Sequence, residues 1–292
     1  MASGISKLDK DRARFYSSLL SRSFFEKIMA EGNTNGLAKR IEKFDHTLLN
    51  RDINVSQYLR CAYRYLVKEY QNEYVYKNTL IRKLIHTHSC NDTVIFSEFK
   101  VGRSYADLVM FNGESRVYEI KTELDTQARL ASQLKDYKGL FQKIYIVTHE
   151  KLVDKYSELD KEVGIISLTY KTGRITLTTV REPLANRSVD VHTLMKTLHT
   201  NEYKTLVKNL YGRLPEVSNF QMYKACTEAL LKETGIRLQE EVNNIIKKRK
   251  SVTPYLKKYE KRSSCLIQLC LSLHIVPKEY EKLHKILQQS IS

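Results

Sequence analysis

The chain has 292 residues and a formal charge of +16, and 42% of its residues are hydrophobic. This apolar fraction is enough for a buried core and excludes an intrinsically disordered protein. No apolar run approaches the roughly 20 residues that span a bilayer, and the N-terminus lacks a signal-peptide core, so we expect a soluble, cytoplasmic protein without membrane contact. The five cysteines show no CxxC spacing and predict free thiols rather than zinc ligands or disulfides.

Hydrophobic periodicity and turn residues divide the chain into three predicted segments. The pattern predicts a short helical segment over residues 1–54, an α/β core over residues 55–182 and a basic helical region over residues 183–292. The predicted strands are 94–101, 104–111, 116–122, 143–148, 163–170 and 174–180, and the predicted helices are 55–85, 126–141, 191–210, 218–249, 254–273 and 277–289.

The stretch FSEFKVGRSYADLVMFNGESRVYEIKT, residues 96–122, places charged side chains inside short apolar runs. Its three strands are separated by turns that contain glycine, which predicts an antiparallel meander. Because side chains alternate between the two faces of a strand, Glu119 and Lys121 share one face of the third strand and Ile120 lies on the other.

A carboxylate and an ammonium on a buried strand are costly unless they form a pair or bind a metal and a substrate. Asp107, in the middle strand, supplies a second carboxylate. Asp107, Glu119 and the backbone carbonyl of Ile120 would offer oxygen ligands to a hard divalent cation, Mg²⁺ or Mn²⁺. Lys121 could orient or help to deprotonate an attacking water and offset charge on a phosphate.

The alternative is that Asp107, Glu119 and Lys121 form a ladder of salt bridges on an exposed sheet face, which contributes little to stability. The apolar neighbours Ala106 and Leu108 argue against an exposed strand. The metal site is therefore the preferred interpretation.

The arrangement of these residues resembles the PD-(D/E)xK superfamily of restriction-endonuclease-like phosphodiesterases. Asp107 is followed after eleven residues by Glu119-Ile120-Lys121, and then by a predicted helix and another strand. Ala106 stands where the family pattern often has proline. The resemblance covers about residues 70–150 and implies a mixed β-sheet core flanked by helices, with Asp107, Glu119 and Lys121 as catalytic residues.

The resemblance extends to a small stand-alone bacterial branch of the superfamily. It is carried there by the sequence Gly102–Asp107 and by Gln133-Leu134-x-x-Tyr137 on the following helix, for which Asp125-Thr126 offers an N-cap. Gln133 and Tyr137 are four residues apart and share one helical face. In the wider family a Gln and a Tyr of this helix often lie near the active site, so both are expected to support catalysis.

Three further residues are candidates for the site. Glu98, which alternation places on one face with Phe96 and Lys100, could complete a metal shell or pair with Arg103. Arg103 could hold a phosphate bidentately, and its pairing with Glu98 is the alternative. Glu73 matches, by position only, a carboxylate that superfamily members often place near the metal from the helix before the first strand.

The positive charge predicts nucleic acid as the partner. Residues 184–292 contain 19 Lys and Arg against 10 Asp and Glu, which is over half of the excess. Their densest run is Lys247-Lys248-Arg249-Lys250, which could contact a duplex backbone. The alternative is a solvated helix end, where cations interact favourably with the helix dipole.

These features predict a metal-dependent nuclease, with DNA favoured over RNA as the substrate. Family analogy adds a bacterial or phage-related role such as antiphage defence. The alternatives are a catalytically silent nucleic-acid-binding protein and a nuclease subunit that a protein partner activates. A homodimer would suit double-strand cleavage, although no interface can be identified from the sequence.

Overall fold

The structure of the protein is a computed structural model that describes residues 7–34, 36–49, 52–123, 125–126 and 128–291. It is a mixed α/β structure with a six-stranded sheet and flanking helices, which confirms the predicted class. Among the described residues no helix is both long enough and apolar enough to cross a membrane.

Among the described residues, five helices precede the sheet. Asn54 and Gln57 form a capping box at the start of the fourth helix, and the Asn72 side chain accepts a hydrogen bond from the Val75 N–H at the start of the fifth. The single helix predicted over 55–85 is therefore two helices, because Asn72 caps a new one. The five helices are α1 (Lys7–Leu19), α2 (Arg22–Glu31), α3 (Leu37–Leu49), α4 (Val55–Glu69) and α5 (Glu73–Thr87).

The sheet contains six strands in the order in which they occur along the chain. The first three form the predicted antiparallel meander, and the third, fourth and fifth pair in parallel. Thr172 and Gly173, both with positive φ, join the last two strands in a tight hairpin turn. The elements are β1 (Val94–Val101), β2 (Ser104–Phe111), β3 (Ser115–Lys121), α6 (Leu130–Lys138), β4 (Lys143–His149), α7 (Val153–Ser157), β5 (Gly164–Lys171) and β6 (Arg174–Arg181).

Within residues 182–291, seven helices follow the sheet, where four were predicted. The predicted helix 191–210 ends and restarts at Leu198-His199, and the predicted helix 218–249 is interrupted before Thr234, whose hydroxyl accepts from the Arg237 N–H. Local capping again decides these breaks. The helices are α8 (Val191–Thr197), α9 (Thr200–Tyr211), α10 (Asn219–Leu230), α11 (Gly235–Ile246), α12 (Thr253–Arg262), α13 (Ile267–Ser272) and α14 (Pro277–Leu287).

The chain forms two compact units. The helical unit comprises Met1–His88, Tyr170–Thr176 and Val252–Ser292, and the sheet unit comprises Ser89–Thr169 and Leu177–Ser251. Within the helical unit, helices from both ends of the chain share one core, with α12 and α13 packed on α5 and α14 packed on α2 and α4. The predicted boundaries at 54/55 and 182/183 stay predictions.

The core of the sheet unit lies between one face of the sheet and its helices. Helix α6 packs on β2 and β4, and α8 packs on β1. The rings of Phe99, Phe111 and Phe141 are in mutual contact there, with centroids 5.8 to 6.4 Å apart. This packing holds α6 across the strands that carry the candidate site.

An ion pair fixes the end of α11 within the sheet unit. Arg249 donates from Nε and Nη2 to the two carboxylate oxygens of Glu202, each at 2.7 Å. Its guanidinium also lies 5.1 Å from the centroid of the Phe99 ring and donates to the Thr197 carbonyl at 3.3 Å. Arg249 therefore connects α9, the end of α8 and strand β1.

We expect Arg249→Ala to lower the free energy of unfolding by about 2–4 kcal/mol, because it leaves a mostly buried carboxylate without its partner. The two side chains are only 18% and 15% exposed. Urea denaturation followed by circular dichroism measures the change. Arg213→Ala is the matched control, since Arg213 and Glu216 are 83% and 88% exposed and such a pair contributes less than about 1 kcal/mol. Equal losses in the two variants would contradict the structural role of Arg249.

The same pair predicts a dependence of stability on pH. Burial alone would raise the pKa of Glu202, but Arg249 and the His199 N–H outweigh it and hold the pKa below its ordinary value. A depressed pKa in the folded state stabilises the protein above the unfolded value of about 4.3, and this contribution is lost as the pH falls through the folded pKa. Glu202→Gln should therefore flatten the stability profile in this acidic range.

Candidate active site

Two residues of the candidate site, Glu119 and Lys121, lie on β3, which is an interior strand of the sheet. It pairs with β2 on one side and with β4 on the other, so that Glu119 lies beside Ile146 and Lys121 beside Thr148. Glu119 is 2% exposed and Lys121 is 8% exposed. This burial agrees with the interpretation of β3 as an interior strand.

The predicted proximity of Glu119 and Lys121 is confirmed. The Lys121 ammonium donates to Glu119 Oε1 at 2.8 Å and to Gln133 Oε1 at 3.3 Å. Burial by itself lowers the pKa of Lys121, but the charge and hydrogen bond of Glu119, with the charges of Asp107 and Asp125, outweigh it and raise the pKa above its ordinary value. Lys121 is therefore a cation at neutral pH in this arrangement.

Helix α6 places Gln133 and Tyr137 beside this pair, on one helical face as predicted. The Tyr137 hydroxyl lies 2.7 Å from Glu119 Oε2 and 3.1 Å from the Tyr105 carbonyl oxygen, and its single hydrogen serves one of these acceptors. Burial raises the pKa of Tyr137, and the negative charges of Glu119 and Asp107 raise it further. Tyr137 is thus a neutral hydrogen-bond donor at the site.

The start of α6 differs from the prediction. The helix begins at Leu130 rather than at 126, and Arg129 occupies the N-cap position. Asp125 does not cap it, because its Oδ2 accepts hydrogen bonds from the N–H and the hydroxyl of Thr122. Asp125 therefore stabilises the end of β3.

Asp107 lies where β2 separates from β3. The pairing of the two strands runs from Phe111 opposite Ser115 to Leu108 opposite Tyr118, and the next position of the register would place Asp107 opposite Glu119. There the Asp107 Oδ2 accepts a hydrogen bond from the Ile120 N–H at 2.7 Å. The side chain takes the place of a strand partner, which brings the two predicted carboxylates to adjacent positions on neighbouring strands.

Glu98 lies between the Ser97–Leu108 and Phe99–Ala106 pairs of the β1–β2 register, at a position where the strand is not regular. Its φ is +54°, in the left-handed region that non-glycine residues rarely adopt. Phe96 and Phe99 consequently lie in the same buried cluster, although regular alternation would place them on opposite faces. Glu98 itself is exposed, and one of its carboxylate oxygens lies within 4.8 Å of one of Asp107.

Glu73 and Arg103 have no hydrogen bond to Glu119 or Lys121 among the contacts of the described residues. Glu73 begins α5 in the helical unit, where its Oε1 pairs with Lys77 Nζ at 2.5 Å, and its role as a metal ligand stays a prediction. Arg103 is exposed in the β1–β2 turn, and its backbone N–H donates to Asp136 Oδ2.

The predicted cationic run divides into two kinds of residue. Lys248 and Lys250 are exposed and Lys247 is half-buried, so these lysines can be reached by a ligand. Arg249 is engaged by Glu202 and Phe99, which favours a structural role over a nucleic-acid contact.

A group of cations next to the site was not predicted from the sequence, apart from Arg103. Arg129, Lys135 and Lys196 line, together with Arg103, a cavity of about 650 Å³. Lys135 lies two residues after Gln133, so its position near the site could be predicted from the sequence. Lys196 on α8 follows α6 by about sixty residues, so its position could not. Only the packing of α8 on β1 brings it near.

Comparisons with known proteins place the chain in a family. Protein cII of Enterobacteria phage P4 is 27% identical over 181 residues, which cover 61% of this chain and 67% of that protein. A solved protein of unknown function from Silicibacter pomeroyi aligns with 42% of this chain and 82% of its own, at 17% identity and a TM-score of 0.29, a likeness that carries no argument. The profile of the family described as bacteriophage P4 protein cII matches residues 67–284, well over half of the chain. The chain therefore belongs to the bacteriophage P4 protein cII family.

Proposed function

We propose that this protein is a divalent-metal-dependent nuclease with a restriction-endonuclease-like core, and that it hydrolyses phosphodiester bonds in DNA. The observation that carries the proposal is the buried Glu119–Lys121 pair, with Asp107 bound to the Ile120 N–H between them. Replacing a buried ion pair by apolar residues often leaves stability unchanged or improves it. A charged pair at this position is therefore better explained by chemistry than by stability.

The donor set supports Mg²⁺ or Mn²⁺ as the cofactor. Asp107 and Glu119 offer the carboxylate oxygens that hard cations prefer, and the Ile120 carbonyl and Glu98 are proposed as further oxygen ligands. Lys121 and Tyr137 each contact one oxygen of Glu119, but a carboxylate oxygen can accept a second partner. When bound, such an ion polarises the phosphate and favours deprotonation of a nearby water.

The residues of the chain have distinct proposed roles around that ion. The Lys121 cation would orient the attacking water and offset negative charge on the phosphate in the transition state. Gln133 accepts from the Lys121 ammonium and so limits the positions that it can adopt. Tyr137 donates to Glu119, which orients the carboxylate toward its ligand.

The wider context of the proposal comes from charge and from resemblance. Lys247, Lys248 and Lys250 would contact the DNA backbone, and their effect would weaken with salt. We place the activity in the cytoplasm, in a phage-related or antiphage role, because the superfamily resemblance suggests it. A homodimer or a protein partner would be compatible with double-strand cleavage.

Asp107→Asn, Glu119→Gln and Lys121→Gln should each lower cleavage by at least about 100-fold, because each removes a charge that the transition state needs. The assay uses the purified chain on supercoiled plasmid, linear duplex, single-stranded DNA and RNA, with Mg²⁺, Mn²⁺ or EDTA. Glu158→Gln is the control, because it removes an exposed carboxylate of the sheet unit away from the site.

Metal-dependent cleavage that persists in Asp107→Asn and Glu119→Gln would refute this mechanism. Nucleic-acid binding without cleavage by the wild type, under all of these conditions, would support the catalytically silent alternative. Cleavage that appears only after a cellular partner is added would identify a partner-activated subunit.

Metal binding can be tested without activity. We expect Mn²⁺ to raise the midpoint of thermal unfolding relative to EDTA, since a ligand at 100 times its Kd stabilises the folded state by about 2.7 kcal/mol. The double variant Asp107→Asn/Glu119→Gln should lose this shift, whereas Glu158→Gln should keep it. An equal shift in the double variant would place the metal elsewhere in the chain.

A further inference from the structure

A second cluster of charged side chains lies next to the candidate active site, within the sheet unit. The β1–β2 turn, α6 and α8 form the cavity of about 650 Å³. Four exposed cations line this cavity: Arg103, Arg129, Lys135 and Lys196. We call these four the cationic cavity residues. Within the described ranges, none of the four side chains forms an ion pair with a carboxylate.

The acidic residue of the cavity has a structural function of its own. Asp136 Oδ2 accepts hydrogen bonds from the Ser104 hydroxyl at 2.7 Å and from the Arg103 N–H at 3.1 Å. These bonds tie the β1–β2 turn to α6. The lining therefore has an excess of three positive charges. Because the site is concave, the electrostatic field of these charges is concentrated there and attracts an anion.

The cavity joins the Glu119–Lys121 pair through shared residues. Gln133 lines the cavity and also accepts from the Lys121 ammonium. Tyr105 lines it too, and its carbonyl oxygen lies 3.1 Å from the Tyr137 hydroxyl. Gln133 and Tyr105 therefore belong both to the lining of the cavity and to the hydrogen-bond network around the pair.

The ring of Tyr105 adds a second kind of contact. It is 59% exposed, which is unusual for a large aromatic side chain on a strand. The β1–β2 register places it opposite Lys100, which is also exposed. An exposed aromatic ring among cations provides a stacking surface for an unpaired base and contacts for its phosphate.

We propose that this cavity binds one nucleotide of the substrate strand next to the bond that is cleaved. The cationic cavity residues bind its phosphate and Tyr105 stacks on its base. Because a base in a duplex is already stacked and paired, the substrate strand is single-stranded or frayed at this position. The identification of this strand as a substrate rests on the proposed nuclease function. Binding of the strand in the cavity requires no cleavage.

The test measures binding of the full-length protein to fluorescein-labelled oligothymidylate by anisotropy, in EDTA so that no cleavage occurs. The comparison ligand is the same sequence within a blunt-ended duplex. We expect the wild type to bind the single strand more tightly. Arg129→Ala/Lys196→Ala should weaken this binding and lower the slope of log Kd against log salt by up to about 0.7, since one neutralised phosphate on a single strand contributes about that much.

Two matched controls distinguish a specific effect of the cavity on binding from a general loss of positive charge and from a loss of folding. Lys161→Ala/Lys208→Ala removes two exposed lysines of the sheet unit outside the cavity and should leave the Kd close to that of the wild type. Tyr105→Ala should weaken single-strand binding by about ten-fold, whereas Tyr105→Phe keeps the ring and should bind normally. Arg129 makes no capping bond through its side chain, so its removal should not disturb α6.

Equal weakening by the cavity and control lysine variants would overturn the inference, and so would unchanged binding in Tyr105→Ala. The inference stands separately from the proposed function. Single-strand binding through the cavity by a protein that cleaves nothing, with or without a cellular partner, supports the cavity and refutes the nuclease. Cleavage that is insensitive to the cavity variants supports the nuclease and refutes the cavity.

Discussion

The structure of the site depends on the cost of keeping the carboxyl group of Glu119 almost completely out of water. An uncompensated buried charge is strongly unfavourable, so donors must reach both of its oxygens. Lys121 supplies one from the same strand, and Tyr137 supplies the other from α6. The orientation of α6 on the sheet and the side-chain alternation of β3 must therefore both be correct for this carboxylate to be tolerated.

A second constraint is the interruption of regular strand geometry at Glu98 and Asp107. The side chain of Asp107 bonds to the Ile120 N–H where the β2–β3 pairing stops, and Glu98 adopts a left-handed backbone on the neighbouring strand β1. Such a backbone costs on the order of 1–3 kcal/mol and is common at functional sites. Beyond this interruption, Asp136 on α6 accepts hydrogen bonds from the Arg103 N–H and the Ser104 hydroxyl and so fixes the β1–β2 turn to α6.

The positive charge of the chain serves more than one purpose. Arg249 belongs to the densest run of cations, but its guanidinium is used to join α9, α8 and β1. The four cations of the cavity come from distant parts of the sequence, and the lining contains a single carboxylate that is already engaged by the β1–β2 turn. The density of cations along the sequence therefore does not predict which of them are exposed together on one surface, because that depends on the tertiary structure.

The sequence by itself determined the strands of the meander and the pairing of Glu119 with Lys121. Both follow from the two-residue period of a strand and from nearby turn residues, which are local properties. Likewise, the four-residue spacing of Gln133 and Tyr137 determined their common face. Only the tertiary structure decided the irregular backbone at Glu98, the breaks in the long helices and the structural role of Arg249. It also decided which cations line the cavity and that helices from both ends of the chain share one core. These depend on packing between residues far apart in sequence, and periodicity carries no information about such contacts.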